Sequence, residues 1–102
     1  MDLDLEDTIL IMVHKRIRKR ESYNIDSVEI RAALEKNGYP MEEKEVMEGL
    51  AQLKSAGYIR ANEDKDGLER NSHITRYWGL EITPKGAMRA IDLLNQFRYE
   101  AP

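Results

Sequence analysis

Cysteine is absent from this 102-residue chain. Its absence excludes a disulfide framework, a cysteine nucleophile and a cysteine-ligated zinc or iron–sulfur centre. Long apolar runs are also lacking, because the longest, Ile9–Val13, is far too short to span a bilayer. The opening segment Met1–Asp4 is acidic where a secretory signal would be basic, so we expect no signal peptide. Together these absences predict a cytoplasmic protein with no membrane partner.

Residues suited to catalysis or metal binding are few. The two histidines, His14 and His73, are separated by most of the chain and show no metal-ligand spacing. No nucleophile–base pair and no glycine-rich phosphate loop is recognisable in the sequence. We therefore predict a protein that is not an enzyme and that needs no metal and no cofactor.

Charge is plentiful and unevenly spread. Charged residues make up 34% of the chain and hydrophobic residues 41%, which is typical of one small folded domain. The formal net charge of −3 does not favour nucleic-acid binding. Against that balance, the run HKRIRKR (His14–Arg20) is strongly basic. This run either binds nucleic-acid phosphates or forms the solvated side and cationic C-terminal end of a helix.

Apolar periodicity and capping signals predict an α+β domain spanning residues 1–102, with four helices and one hairpin. Asp26 is a candidate N-cap with Glu29 as its capping-box partner, and Gly57 is placed to end a helix in a left-handed conformation. Thr83 and Pro84 mark the start of the last helix. The predicted ranges are helix 1 at about 4–20, helix 2 at about 27–36, helix 3 at about 41–56, the hairpin at about 58–82 and helix 4 at about 84–98.

The same periodicities predict which side chains form the core. Along the second strand, alternation places Trp78, Leu80 and Ile82 on one face, so we expect Trp78 to be buried. The predicted helical core faces are Leu5, Ile9, Leu10, Val13 and Ile17 on helix 1, Val28, Ile30, Ala33 and Leu34 on helix 2, Val46, Leu50 and Leu53 on helix 3, and Ala87, Ile91 and Leu94 on helix 4.

Two stretches are similar to the winged helix-turn-helix superfamily. The first, VMEGLAQLKSAGYI, has Leu50, Leu53 and Gly57 at the spacing typical of a recognition helix and the strand that follows it. The second, LEITPKGAMRAIDLL, resembles the strand-to-helix junction of MarR- and PadR-type repressors and of small prophage-type winged-helix proteins. The resemblance implies a three-helix core, a β-hairpin wing and a C-terminal helix. It also implies double-stranded DNA as the partner, with helix 3 in the major groove and the wing on the backbone or minor groove.

By this resemblance, the outward side of helix 3 and the wing of a transcriptional regulator contact DNA. Gln52 suits adenine and Lys44 suits guanine or phosphate, whereas Glu48 on the same side repels the backbone. Four glutamates oppose two lysines between Pro40 and Ile59. The face is therefore either a DNA reader or an acidic surface of a protein-binding module. The DNA-binding candidates are Lys44, Gln52, Lys54 and Ser55 on helix 3 and Lys65, Arg70 and Arg76 on the wing.

Three apolar residues lie off the predicted core faces, namely Ile11 on helix 1 and Leu93 and Phe97 on helix 4. One interpretation is that they pack against the body of their own chain. The other is that they form a homodimer seam through helices 1 and 4, a common arrangement among winged-helix repressors. A twofold symmetric dimer would gain affinity from paired half-sites on DNA.

Overall fold

The computed structural model describes residues 3–19, 25–66 and 73–100, with side chains through residue 96. In these segments two strands pair as an antiparallel sheet. The predicted α+β class is confirmed, and each predicted helix boundary lies within two residues of the observed one. The elements in chain order are α1 (Leu5–Lys19), α2 (Ser27–Lys36), α3 (Glu43–Ser55), β1 (Ile59–Asp66), β2 (His73–Ile82) and α4 (Pro84–Glu100).

Local capping groups explain why the helix boundaries were predictable. The Asp26 carboxylate accepts a hydrogen bond of 2.7 Å from the Glu29 backbone N–H, as an N-cap does. The Thr83 hydroxyl likewise accepts from the Gly86 N–H at 3.0 Å at the start of α4. Gly57 follows α3 with φ of 81°, a left-handed conformation that favours glycine. The Glu29 carboxylate, predicted to complete a capping box, accepts a hydrogen bond from Arg16.

The core lies between α1, α2, α3 and the inner face of the hairpin. Burying one large aliphatic side chain stabilises the fold by about 1.5–3 kcal/mol. Two predictions fail at the edge of this core, because Leu5 and Val28 are exposed. Val28 lies about 200° around α2 from Ile30, so it misses the buried stripe. The largest fully buried side chains are Ile9, Leu10, Val13, Ile30, Leu34, Val46, Leu50 and Ile59.

Helix α4 is rotated about its axis relative to the prediction. Ala90 and Leu93 are buried, whereas Ile91, predicted to be in the core, is 48% exposed. Gly86 accounts for this orientation, because it packs so closely on Tyr58 that any Cβ would collide with the Tyr58 carbonyl oxygen. The helix therefore turns the side bearing Gly86, Ala90 and Leu93 inwards, and the predicted core stripe through Ile91 is wrong.

A bulge in β2 interrupts the regular pairing of the hairpin. Between the pair Arg60–Glu81 and the pair Asn62–Trp78, β2 contains one more residue than β1. Gly79 lies in this interval with φ of 60°, a backbone conformation that residues other than glycine rarely adopt. A second register shift occurs nearer the hairpin tip. Each extra residue moves the following side chains to the opposite face of the sheet.

The bulges decide which aromatic side chain of β2 enters the core. Tyr77 is 2% exposed, whereas Trp78 is 37% exposed. Inward-facing positions follow the irregular series Ile74, Tyr77, Leu80 and Ile82. The prediction that Trp78 is buried was wrong because it assumed uninterrupted alternation.

Candidate nucleic-acid interface and neighbouring surfaces

The outward face of α3 carries three of the predicted DNA contacts. Lys44, Gln52 and Ser55 are exposed, on the side of the helix opposite the buried Leu50. The Lys44 ammonium forms no ion pair with the described part of the chain. Glu48, also exposed, lies on the same face. The face thus presents one free cation, one amide, one hydroxyl and one carboxylate.

Lys54, the fourth candidate on α3, is directed towards the hairpin. Its ammonium lies 2.8 Å from a Glu63 carboxylate oxygen and 5.9 Å from the centroid of the Tyr77 ring. The hydrogen bond from Lys54 holds the pKa of Glu63 below its usual range, although partial burial opposes the shift. Lys54 therefore joins α3 to the sheet as well as being a candidate for phosphate contact.

Every lysine and arginine in the described part of the hairpin is matched by a carboxylate. Arg76 also approaches Asp26, the N-cap of α2, at 3.9 Å. Arg70 lies outside the described residues. The closest nitrogen–oxygen distances are 3.4 Å for Arg60–Glu81, 3.6 Å for Arg76–Asp64 and 3.8 Å for Lys65–Glu63. Exposed pairs of this kind contribute about 0–1 kcal/mol each.

An acidic groove runs along one flank of α3, where the start of α1 lies beside it. Its volume is about 460 Å³, and none of its described lining residues is a lysine or an arginine. Gly49 lets α1 approach closely, since a Cβ there would collide with the Ile9 side chain. This flank repels phosphate and attracts cations. The groove is lined by Leu5, Glu6, Glu45, Glu48, Gly49 and Gln52.

The flank of α3 next to α2 differs in charge. Arg31 is exposed and donates from Nε to the Met41 carbonyl oxygen at 3.1 Å, close to the start of α3. Sequence analysis did not single out Arg31, although its position on the solvated side of helix 2 was available as a signal. Arg31 and Lys44 therefore place positive charge near the N-terminal end of α3.

The basic run of α1 lines a separate groove against α2. We call this the cationic groove. It has a volume of about 390 Å³. Sequence analysis identified its α1 side but missed the contribution of α2, which becomes visible only when the two helices pack. The lining residues are Met12, Lys15, Arg16, Lys19, Glu29, Ala32, Ala33, Lys36 and Asn37.

His14 lies in the interior and not in a groove. Its side chain is buried, and neither ring nitrogen has a hydrogen-bond partner among the described residues. Burial, reinforced by the charge of Arg18, lowers the pKa of His14 below its usual value. In the described segments, no three histidine, aspartate or glutamate side chains cluster as a metal site would require.

The residues predicted to form a homodimer interface are not exposed where the structure describes their side chains. Ile11 and Leu93 are buried within the single chain, which agrees with the interpretation that they pack against their own body. The Phe97 side chain lies outside the described residues. The exposed apolar side chains of α4 are instead Met88 and Ile91. No helix in the described segments is both long and apolar enough to cross a membrane.

No protein-family model matches the chain, and no curated protein matches its sequence at a significant level.

Proposed function

We propose that the protein is a small winged-helix domain that binds double-stranded DNA as a transcriptional regulator. The observation that carries the proposal is the open outward face of α3, on which Lys44, Gln52 and Ser55 are exposed together. The order of three helices followed directly by an antiparallel hairpin is compatible with such a domain and supports the same interpretation.

In this proposal α3 enters the major groove. Lys44 binds a phosphate or guanine, and the Gln52 amide pairs with the edge of an adenine. Lys65 and Arg76 exchange their carboxylate partners for DNA phosphates, which costs little because exposed ion pairs are weak. Arg31 adds a phosphate contact beside Lys44. Glu48 and the acidic groove oppose the backbone on the other flank, so we expect modest affinity with a steep salt dependence.

Binding to mixed-sequence duplex DNA, measured by fluorescence anisotropy, tests the proposal. We expect binding at about 50 mM salt that weakens markedly by about 200 mM. Lys44→Ala should weaken it about tenfold, because one phosphate or base contact is removed. Arg60→Ala, which changes the net charge equally at a hairpin position outside the candidate set, is the matched control. Absence of binding at about 50 mM salt would exclude the DNA-binding proposal.

A protein-binding module is the second candidate, and the acidic groove is the observation that favours it. Its carboxylates Glu6, Glu45 and Glu48 surround the exposed Leu5, an arrangement that suits a basic segment with one apolar anchor. A lysine- and arginine-rich helical peptide should bind the protein in solution, and Glu45→Gln with Glu48→Gln should abolish the binding. If the peptide binds the double variant equally well, the groove is not its docking surface.

A further inference from the structure

The cationic groove is separate from the surfaces assigned to DNA or protein binding. Its described lining residues belong to α1, to α2 and to Asn37 at the end of α2, and none of them comes from α3 or the hairpin. The charge and shape of this groove therefore do not depend on side chains of α3 or of the described part of the hairpin.

The lysines of the groove lack partners, in contrast to the paired cations of the hairpin. Lys15, Lys19 and Lys36 form no ion pair or hydrogen bond with the described part of the chain. Among the described lining residues Glu29 is the one carboxylate, and it is bound to Arg16. Four cations and one carboxylate give these described lining residues a net charge of 4 − 1 = +3. This concentration occurs in a chain whose formal net charge is −3.

The positive charges approach the groove from two walls. Lys15 and Lys19 lie about one turn apart on α1, a rise of about 6 Å along the axis. Lys36 lies on α2, so an anion in the groove would meet lysines from both helices. The small side chains Ala32 and Ala33 leave open space between the walls.

The volume of about 390 Å³ matches a small ligand, because such sites commonly measure about 300–1,000 Å³. A single carboxylate would leave two of the three net positive charges of the described lining uncompensated, and a monophosphate, which carries about −1.5 to −2, would leave at least one. None of the described lining residues is aromatic, so none of them is suited to stacking on a nucleobase. A ligand that matches this groove therefore carries several closely spaced negative charges, and the lysines recognise it through them.

We propose that the cationic groove binds an oligophosphate, either inorganic triphosphate or the triphosphate group of a nucleotide. Lys15 and Lys19 hold the phosphates from α1, and Lys36 holds them from α2. Glu29 fixes the Arg16 guanidinium at the edge of the groove and limits the affinity through its own charge.

Isothermal titration calorimetry with inorganic triphosphate, ATP and inorganic phosphate tests the proposal. We expect triphosphate to bind about tenfold or more tightly than phosphate, because it contacts several lysines at once. Binding of ATP with similar affinity would show that the phosphates alone are recognised. Much tighter binding of ATP would identify the nucleotide as the source of the oligophosphate. No binding of either triphosphate at low salt would overturn the proposal.

Matched variants locate the binding. Lys15→Gln and Lys36→Gln should each weaken triphosphate binding about fivefold or more, whereas Arg60→Gln, which removes the same charge from the hairpin, should not. Glu29→Gln should strengthen binding, whereas Glu81→Gln should leave it unchanged. All five positions are at the surface or only partly buried, so circular dichroism should show an intact fold. Equal losses in Lys15→Gln and Arg60→Gln would mean diffuse attraction and would contradict a built site.

Nucleic acid is the competing occupant of this groove. If Lys15→Gln and Lys36→Gln weaken duplex DNA binding while triphosphate does not bind, the groove contacts the DNA backbone and the oligophosphate proposal is wrong. Triphosphate binding without any DNA binding would instead leave the groove proposal standing and exclude the DNA-binding function.

Discussion

His14 places a titratable ring in the interior of the fold. Its side chain is 6% exposed and its two ring nitrogens lack partners among the described residues. Burial and the nearby Arg18 charge both disfavour the imidazolium, so the pKa of His14 is lower in the folded state than the usual value of about 6.5. The unfolded chain therefore takes up this proton more readily than the folded one.

This difference predicts a pH dependence of stability. As the pH falls from about 7.5 to about 5.5, the unfolded state binds more protons, so the free energy of unfolding should decrease. His14→Leu should flatten the dependence in this window, because it removes the group, whereas His73→Gln at an exposed strand position should retain it. Urea denaturation followed by circular dichroism at several pH values measures the slopes. A slope in His14→Leu equal to that of the natural chain would contradict the assignment.

At the scale of elements, the sequence predicted where the helices begin and end but not how α4 is rotated about its axis. Helix boundaries depend on neighbouring residues such as Asp26, Thr83 and Gly57, whose capping roles are local. The rotation of α4 depends on the contact between Gly86 and Tyr58, which are far apart in sequence. Such a contact leaves no periodic signal, because its cause is the absence of a side chain at one position.

The candidate DNA-binding site on α3 was also predictable only in part. The outward side of α3 follows from helical periodicity, and Lys44, Gln52 and Ser55 are exposed as expected. The Lys54–Glu63 pair was missed because it forms across the turn that joins α3 to β1. Regular alternation inward from Ile59 would have indicated that Glu63 faces the helix.

The bulge in β2 leads to a prediction about two adjacent aromatic residues. Tyr77→Ala should destabilise the domain by about 3–5 kcal/mol, the usual cost of emptying a buried aromatic position. Trp78→Ala should cost about 1 kcal/mol or less, because the indole is much less buried. Urea denaturation of both variants at one pH gives the two free energies directly. A larger loss of stability in Trp78→Ala than in Tyr77→Ala would contradict this prediction. It would mean that Trp78 faces the core, as uninterrupted alternation along β2 predicts.

At the scale of the whole molecule, the net charge conceals a separation of charge along α1. The start of this helix lies beside α3 and contributes Glu6 to the acidic groove. Its second half contributes Lys15, Arg16 and Lys19 to the cationic groove. The same polarity that complements the helix macrodipole thus gives the domain one negative and one positive concave surface. The described cations of the hairpin add little net charge to either surface, since their carboxylate partners neutralise them.

The remaining apolar surface of α4 leads to a prediction about oligomeric state. Met88 and Ile91 are 68% and 48% exposed and lie one turn apart, on the side of α4 that the described part of the chain leaves uncovered. We expect a homodimer in which these residues, rather than Ile11 and Leu93, meet their symmetry mates, because an isologous contact buries the same apolar face twice. Light scattering after size-exclusion chromatography should give a dimer mass that falls on dilution.

Charge substitutions then distinguish this specific contact from nonspecific hydrophobic association. Met88→Glu with Ile91→Glu should give a folded monomer, because four carboxylates would face one another across the twofold axis. Val28→Glu, which places one charge on an exposed apolar residue of α2, should leave the dimer intact. Paired half-sites would also lose their advantage in the monomeric variant, so its DNA affinity should decrease although α3 is unchanged. A monomer mass for the natural chain at every concentration would contradict the dimer and leave α3 to bind a single half-site.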